Sequence, residues 1–416
     1  MPPLQLSQRP DAAIMLGCLL AGLAVSEASG ADTPATSFDL PGDTYREKAM
    51  VFSRDLHWLA AWRLPDQVEV WDVAKRAKAA GWAVGPAGPW SFLPGGHRRP
   101  MAFLEDGRRI VVANATNVAV YDFLSGKLDQ VLEDSALGAG QISVSPDGRC
   151  VVGVITNGEF AFWSLPDGKR RTDLPTKRAP WERRGSPFNY SAMALRTPPT
   201  SMSPETDWAF SPDGRAFAIG RLFNVDLWDL ERGQWLSRYS GMEVPDFRIG
   251  GPTFGGAMTV AFLSASNLAV VCGGALAVLS VGTHMTALAV TNPASPSQER
   301  LDIRGLGVSA NGTRLAVAGM RMGARASMGD PGAGPVFDVP QQGEIQVWDV
   351  TPLRRRMTIK GSDEEKFGFV AVDVAGKRVA AVTTGVHYTS RMNNSQQQQV
   401  ERNPPGPYRV GVWEVP

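Results

Sequence analysis

The chain is poor in the residues from which catalytic and metal sites are most often built. Its 416 residues include three cysteines and four histidines. No histidine belongs to an i, i+4 pair or an HxH cluster, which are spacings typical of zinc sites; the four are His57, His97, His284 and His387. The sequence also lacks a Gly-x-Ser-x-Gly elbow and a Cys–His arrangement typical of a nucleophile. It therefore predicts no catalytic residue, no metal and no cofactor.

A strong net charge and a long hydrophobic run are missing as well. The formal charge is +1 with both signs spread along the chain, so nothing indicates a nucleic-acid partner. The apolar stretch from Ala12 to Val25 has 14 residues, whereas a membrane helix needs about 20. Arg9 precedes it and Ser29-Gly30-Ala31 follows, which is the three-part layout of a signal peptide. We predict that residues 1–31 are a signal peptide and that no membrane span is left after cleavage.

Two alternatives stay open for this segment. It could be retained as an uncleaved anchor, or lipid could be attached at Cys18, because Met15-Leu16-Gly17-Cys18 resembles a bacterial lipoprotein box. After cleavage only Cys150 and Cys272 remain, in different repeats of the pattern described next and too far apart to form a disulfide. An exported protein without disulfides is typical of a bacterial periplasm or cell envelope, and an extracellular location also fits the leader.

The most informative feature that is present is a repeat. A polar turn is followed, 15 or 16 residues after its Asp, by a strand that ends in Trp; this is clearest from Ser145-Pro146-Asp147-Gly148 to Trp163 and from Ser211-Pro212-Asp213-Gly214 to Trp228. Apolar runs of strand length flank the turn, and a third run alternates, as in Val68-Glu69-Val70-Trp71, which predicts a half-buried strand. Seven copies are present, and their third strands end at Trp71, Tyr121, Trp163, Trp228, Leu279, Trp348 and Trp413.

A fourth, more polar strand follows most copies, as in Leu128–Leu132. Four antiparallel strands per repeat, with a Trp-Asp signature at the end of the third, resemble the WD-repeat family. The resemblance covers roughly residues 36–416. It implies an all-β fold, a seven-bladed β-propeller of four-stranded antiparallel blades, for which we assign residues 32–416. Typical members add a Gly-His dipeptide and a turn Asp that form a buried network with the Trp. No Gly-His precedes a strand here, so we expect apolar packing and ladder hydrogen bonds to hold the blades.

The last copy ends after its third strand, at Trp413. An incomplete blade would leave an exposed edge, and members of the resembled family close it with a strand from the N-terminus. The segment Thr36-Ser37-Phe38-Asp39-Leu40 stands just before the first inner strand. We predict that it pairs beside Arg409–Trp413 and closes the ring.

Inserted residues fall at two kinds of connection. Connections from an outer strand to the next inner strand are long at about 77–100, 172–207 and 238–257, and turns between second and third strands are long at about 320–343 and 384–407. In a four-stranded blade both kinds open onto the same end of the ring, so we predict one loop-rich face. Long loops on a rigid scaffold often carry binding residues. The Asn- and Gln-rich segment 384–407 is predicted to be disordered.

Two of these insertions supply candidate binding residues. The segment 172–207 interleaves cations with aromatic rings, which can hold anionic or sugar ligands through charge and stacking. The segment 384–407 adds a histidine and a tyrosine to the same face. The candidate binding residues are Trp181, Arg183, Arg184, Tyr190, His387 and Tyr388.

The favoured prediction is an exported, monomeric, non-catalytic propeller that binds a protein partner through its loop-rich face, as similar propellers do. One alternative is an enzyme with a site on the ring axis, of the hydrolase, lactonase or quinone-dependent dehydrogenase type. Such a site needs polar groups converging from several inner strands, and these runs are mostly apolar, with Arg304 the main exception. The other alternative is a glycan-binding protein of the cell envelope, which Trp90, Trp181 and Tyr190 would serve.

Overall fold

The regular structure of the described residues is entirely β. The computed structural model describes residues 33–42, 45–86, 100–135, 141–154, 160–174, 207–221, 224–240, 259–272, 275–282, 285–291, 300–322, 340–361, 365–385, 388–392, 398–402 and 408–416. No helix long and apolar enough to cross a membrane occurs within these ranges. The predicted signal peptide, residues 1–31, lies outside them.

Seven four-stranded antiparallel sheets form the ring, and blades 1 to 6 each use four consecutive strands. Blades 1 to 3 are β2 (Tyr45–Phe52), β3 (Trp58–Arg63), β4 (Gln67–Asp72), β5 (Ala77–Ala83), β6 (Met101–Phe103), β7 (Arg109–Ala113), β8 (Val118–Asp122), β9 (Lys127–Val131), β10 (Ile142–Val144), β11 (Cys150–Val154), β12 (Phe160–Ser164) and β13 (Arg170–Arg171). Blades 4 to 6 are β14 (Asp207–Phe210), β15 (Ala216–Arg221), β16 (Asn224–Asp229), β17 (Gln234–Ser240), β18 (Thr259–Ser264), β19 (Asn267–Cys272), β20 (Ala275–Ser280), β21 (Thr286–Thr291), β22 (Arg300–Val308), β23 (Arg314–Met322), β24 (Pro340–Val350) and β25 (Leu353–Lys360). The seven-bladed β-propeller predicted from the repeat is confirmed.

Blade 7 combines the two ends of the chain. Its strands are β26 (Glu365–Val372), β27 (Arg378–Gly385), β30 (Tyr408–Glu414) and, as the outer strand, β1 (Thr36–Asp39). The register sets Phe38 opposite Val410, and the Leu40 N–H donates to the Tyr408 carbonyl at 2.8 Å. The predicted closure by the N-terminal segment is therefore confirmed.

The third strands are buried on both faces, so the prediction of half-buried strands is wrong. In β4 every residue after Gln67 is buried. Val68 and Val70 pack into a cluster with blade 2, whereas Trp71 packs into a cluster with residues of blade 7. Because blades stack face to face around the ring, a neighbouring blade covers the polar face of the alternation as well as the apolar one.

The two ends of the ring are distinct. We call the end where each first strand ends and each second strand begins the turn end, and the opposite end the loop end. Every connection at the turn end has five residues or fewer, as the strand bounds show. At the loop end the connection between β13 and β14 runs from 172 to 206, which is 206 − 172 + 1 = 35 residues.

In blades 1, 3, 4 and 6 the turn between the first and second strands is built from one repeated hydrogen-bonded unit. In blade 3 the Ser145 hydroxyl donates to the Asp147 carboxylate, Asp147 accepts the Arg149 N–H at 3.1 Å, and Ser145 accepts the Cys150 N–H at 2.9 Å. Blade 4 repeats these bonds with Ser211 and Asp213. Asx and Ser turns of this kind hold a tight connection without help from elsewhere.

The Asp of the Trp-Asp pair caps the turn between the third and fourth strands in blades 1 and 4. Asp72 accepts the backbone N–H of Lys75 at 2.9 Å, and Asp229 accepts that of Arg232 at 2.9 Å. The buried indole N–H groups of Trp228, Trp348 and Trp413 have no hydrogen-bond partner among the described residues. The blades therefore rely on the apolar clusters between them, in line with the missing Gly-His.

The loop end contains an additional hairpin. Strands β28 (Tyr388–Met392) and β29 (Gln398–Arg402) pair antiparallel within the connection between β27 and β30, with Ser390 opposite Val400. The prediction that 384–407 is disordered is therefore wrong for these ten residues. Polar side chains dominate β29, in which Val400 alone is apolar, and the ladder consists of backbone hydrogen bonds that do not depend on side-chain type.

Candidate functional site

Most of the predicted binding residues lie outside the described part of the chain. These are Trp181, Arg183, Arg184, Tyr190 and His387, together with Trp90 of the glycan-binding alternative. Tyr388 is the first residue of β28, and the structure describes its backbone only. Their assignment to a binding face stays a prediction.

What the structure does place at the loop end is a set of buried charges. Among the described residues, the buried charged side chains that do not belong to turns are Glu69, Asp207, Asp226, Glu344 and Lys366. Each stands in the half of its strand nearer the loop end. Burying a charge is costly unless it is paired and hydrogen-bonded, so the partners of these groups decide what the arrangement can do.

Glu69 of blade 1 is held by three donors. Lys78 Nζ lies 2.7 Å and Arg63 Nη1 3.2 Å from its Oε1, and the Tyr45 hydroxyl donates to its Oε2. Burial alone would raise the pKa of Glu69, but the bonds from Lys78, Tyr45 and Arg63 outweigh burial and lower it. Burial, followed by the bond to Glu69, raises the pKa of Tyr45 far above its ordinary value. The Tyr45 ring also meets Tyr408 of blade 7 edge-on, so this cluster lies at the seam of the ring.

Blade 4 contains a comparable pair. Arg238 on β17 donates from Nε and Nη2 to the two carboxylate oxygens of Asp226 on β16, at 2.8 and 3.0 Å. The geometry is bidentate, which is the strong form of an arginine–carboxylate contact. Asp226 is buried, whereas Arg238 is partly exposed, so the pair has one charge inside the blade and the other at its surface.

Blade 6 contains the third cluster. Arg321 Nε donates to Glu344 at 3.0 Å, and the Gln346 side chain donates to the same carboxylate at 2.5 Å. Both Glu344 and Gln346 are buried. They stand on the face of β24 that also carries Trp348, which packs against blade 5.

One repeat position accounts for much of this pattern, and sequence reasoning missed it. The position in question lies two residues before the anchor residue, usually Trp, at the end of the third strand. In blades 1, 4 and 6 it is occupied by Glu69, Asp226 and Gln346. In the other blades it is small: Ala119, Ala161, Ala277 and Gly411. Polar residues among alanines in an aligned repeat were the available signal. The alternating pattern instead assigned them to solvent.

A further carboxylate, Asp207, joins three blades at the mouth of the ring. It begins β14, and its two oxygens accept from Gln141 of blade 3 at 3.4 Å and from the Val260 N–H of blade 5 at 3.3 Å. With Lys366 on β26, it adds polar groups to the inner strands beyond Arg304, whose side chain is outside the description. Sequence reasoning passed over both because each precedes the apolar run of its strand.

These buried charges form ion pairs and hydrogen bonds that hold strands and blades together. The carboxylates of Glu69, Asp226 and Glu344 each accept from a cation on a neighbouring strand, so each pair holds two strands together. Burial raises the pKa of the Cys150 thiol to about 12, so it is not a thiolate nucleophile at neutral pH. Within the described ranges no three His, Cys, Asp or Glu side chains converge as metal ligands would.

Comparison with known proteins gives structural likeness only. No protein-family profile and no curated protein matches the sequence. The β-propeller domain of Cps50 (Swd1) from Myceliophteria thermophila is similar with a TM-score of 0.56 and 12% identity, over 91% of this chain and 100% of that one. A chain of the Mitotic Checkpoint Complex is similar with a TM-score of 0.57 and 12% identity, over 100% of this chain and 97% of that one. These likenesses concern the fold, and with the seven blades they support a WD40-like β-propeller.

Proposed function

We propose that the protein is an exported, non-catalytic scaffold that binds a protein partner through its loop end. The observation that carries the proposal is the inequality of the two ends. Turn-end connections have five residues or fewer, while the loop end carries the 35-residue connection before β14 and the hairpin of β28 and β29. Loops of this length on a rigid frame are where recognition residues concentrate.

The frame beneath these loops is suited to presenting them. The inner face of the loop end is cross-connected by Asp207, which joins blades 3, 4 and 5, and by the Glu69 cluster at the seam. Anchors of this kind fix the strand ends from which the loops leave. One of the structurally similar chains comes from the Mitotic Checkpoint Complex, which supports a protein as the partner.

The pairing of the buried carboxylates with cations supports a non-catalytic role. Glu69, Asp226 and Glu344 are each paired with a cation, and an acid–base site would instead place carboxylates with opposed pKa values around a cavity. On the inner strands, Asp207 links three blades, and it accepts from Gln141 and from the Val260 N–H.

Export rests on the sequence of residues 1–31. If the leader is cleaved after Ala31, mass spectrometry of the protein recovered from an envelope fraction will show a chain that starts at Asp32. A chain that retains Met1 would support the uncleaved anchor, and a lipid mass on Cys18 would support the lipoprotein alternative. Either result would contradict the cleaved leader while leaving the loop-end proposal standing.

The loop-end proposal can be tested by capture with matched variants. One variant replaces 388–402 with a short Gly-Ser turn, and a second replaces 175–206 in the same way. The control reverses exposed charges at the turn end, with Arg149→Glu and Arg215→Glu. We expect a protein enriched by the intact chain and by the control to be lost with at least one loop variant, each variant first being shown to keep a cooperative thermal transition.

Two results would contradict the proposal. If all three variants capture the same protein equally, the loop end is not the binding surface. If only the turn-end control loses it, the partner binds the opposite end of the ring.

A further inference from the structure

The cations of the turn end are not balanced by acids equally around the ring. Beside the turn connections of blades 3 and 4 the described residues include five cations and five acids: Arg149, Lys169, Arg170, Arg215 and Arg232 against Asp147, Asp167, Asp213, Asp229 and Glu231. Beside those of blades 6 and 7 there are six cations and three acids, a formal charge of 6 − 3 = +3. The acids are Asp349, Asp373 and Glu414, and the cations, which we call the basic patch, are Arg314, Arg354, Arg355, Arg356, Lys377 and Arg378.

Hydrogen bonds hold the basic patch together across the boundary between blades 6 and 7. Arg314 Nη1 donates to the Gly376 carbonyl at 2.9 Å, and Arg314 Nη2 and Arg356 Nε donate to the Pro416 carbonyl at 3.1 and 3.0 Å. Asp349 lies 3.3 Å from Arg314 and 4.0 Å from Arg356, so one carboxylate serves two guanidinium groups. Because their remaining bonds in this network go to neutral carbonyls, the patch keeps a surplus of positive charge.

The basic patch is open to solvent and includes an exposed apolar residue. Arg354, Arg356 and Lys377 are exposed. Val374, at the tip of the blade 7 turn, is 46% exposed. Cations around an exposed apolar side chain suit an anionic membrane surface, because the cations can meet the headgroups while the apolar side chain enters the boundary with the acyl chains.

The N-terminal segment leaves the ring beside this patch. Strand β30 runs toward the turn end, where Glu414 lies opposite Arg378. Strand β1 pairs antiparallel with β30 and sets Thr36 opposite Val412. The residues before Thr36 are therefore directed toward the turn end of blade 7.

We propose that the basic patch docks on anionic lipid headgroups, so that the turn end faces a membrane and the loop end faces away from it. The leader favours a lipid surface over an acidic protein as the occupant. Its apolar stretch ends at Val25, and the seven residues 26–32 can span at most about 25 Å to Thr33. A retained leader, or a lipid on Cys18, would thus enter the bilayer close to the patch.

The patch and the leader would act as two signals for the same surface. A single lipid chain gives only marginal membrane binding, and a basic patch is a second signal that makes the binding stable. If the leader is cleaved, the patch acts alone and its binding is weak and sensitive to salt. The fate of the leader therefore changes the strength of binding and leaves the docking face the same. The proposal goes beyond the loop-end function and does not depend on it.

The test measures how the purified full chain partitions onto vesicles by co-sedimentation. One set of vesicles is phosphatidylcholine, and the other is phosphatidylcholine mixed with phosphatidylglycerol. The ratio of the two partition coefficients isolates the electrostatic part, because the leader is present in every variant. We expect the intact chain to favour the anionic vesicles at least about tenfold at low salt, and the preference to disappear at about 0.5 M salt.

Two matched variants locate the charge that is responsible. The patch variant should reduce the preference to less than about twofold, and it combines Arg354→Gln, Arg356→Gln and Lys377→Gln. The control removes the same charge from blades 3 and 4 and should keep most of the preference; it combines Arg149→Gln, Lys169→Gln and Arg215→Gln. Thermal transitions of both variants check that the ring stays folded.

A second pair of variants tests the exposed valine. Val374→Asp replaces an apolar side chain by an anion at the docking face and should lower the preference for anionic vesicles about threefold. Pro212→Asp makes the same change of charge at the equivalent turn position of blade 4 and should leave the preference unaltered.

Several results would overturn the proposal. Equal partitioning of the intact chain onto both kinds of vesicle would do so, and equal losses in the patch variant and its control would show that overall charge, rather than the patch, is responsible. If the intact chain ignores vesicles and the patch variant no longer captures a protein, the patch binds an acidic protein and the lipid surface is wrong. The loop variants at 175–206 and 388–402 should bind vesicles like the intact chain, so a failure of the loop-end proposal would leave this result untouched.

Discussion

The turn end and the loop end of the same sheets differ in how far one design is repeated. At the turn end, Ser145 and Ser211 form the same bonds to an Asp two residues on and to a backbone N–H five residues on. At the loop end, Glu69 and Asp226 occupy the same repeat position yet use different partners, one of them three donors and the other a single arginine. The scaffold thus repeats one turn in blades 1, 3, 4 and 6 at one end, whereas the partners at the other end differ from blade to blade.

The difference has an energetic side. A neutral hydrogen bond of the turn type contributes on the order of 1 kcal/mol net. A buried carboxylate contributes little net stability, but the loss of its partner leaves an uncompensated charge that costs several times more. The loop end should therefore tolerate substitution less well at these positions, although it carries the variable connections.

The largest effect is expected from moving a loop-end charge to a blade that lacks its partner. Ala277 of β20 occupies the repeat position of Asp226 and is fully buried beside Leu227 and Leu279. We expect Ala277→Asp to lower the free energy of unfolding by about 3–5 kcal/mol, because the new carboxylate is buried and unpaired. Urea unfolding measures the change.

Two controls bracket this substitution. Ala277→Val adds volume without charge, and its cost isolates the steric part. Asp226→Ala removes the carboxylate and leaves Arg238, which is partly exposed and can be hydrated, so its cost should be smaller, about 1–3 kcal/mol. If Ala277→Asp cost no more than Asp226→Ala, the loop-end positions would be interchangeable after all.

The ring could be predicted from the sequence because each copy of the repeat corresponds to one blade, so the number of copies gives the number of blades. Seven copies with a missing last strand left one place for Thr36–Asp39, and it pairs there. The same pattern could not predict the burial of Glu69, because a period of two distinguishes the faces of a strand but not water from a neighbouring blade. The partners of Asp207 are 66 and 53 residues away, and no local signal indicates them.

One turn of the turn end, at Gly312 of blade 6, is also restricted by contact with the neighbouring blade 5. Gly148 and Gly312 occupy equivalent turns with the same positive φ of 67°. A Cβ on Gly148 would meet nothing within 4 Å, whereas one on Gly312 would lie 1.7 Å from the Leu263 carbonyl oxygen of blade 5. Gly148→Ala should cost about 1 kcal/mol for the left-handed conformation alone, and Gly312→Ala about 1–3 kcal/mol more for the clash. Equal shifts of the urea midpoint would mean that the blade 5–blade 6 contact yields without cost.

The smallest expected effect is the change in folding stability at low pH that depends on Asp213 of the blade 4 turn. Burial alone would raise the pKa of Asp213, but the Ser211 hydroxyl and the Arg215 N–H outweigh burial and hold it below the ordinary value. A folded pKa below the unfolded one means that the stabilisation is present above the unfolded pKa, roughly pH 4, and is lost as pH falls through the folded pKa. Asp213→Asn should therefore lose less stability than the intact chain between pH 7 and pH 3, with a difference below about 1 kcal/mol because the group is exposed.

Asparagine suits the turn, since Asn311 in blade 6 accepts the matching bonds from Ser309 and Thr313 at 2.7 and 3.1 Å. Parallel pH curves for the two proteins would show that the Asp213 charge has no part in the turn, and that the geometry of its hydrogen bonds alone sets this turn.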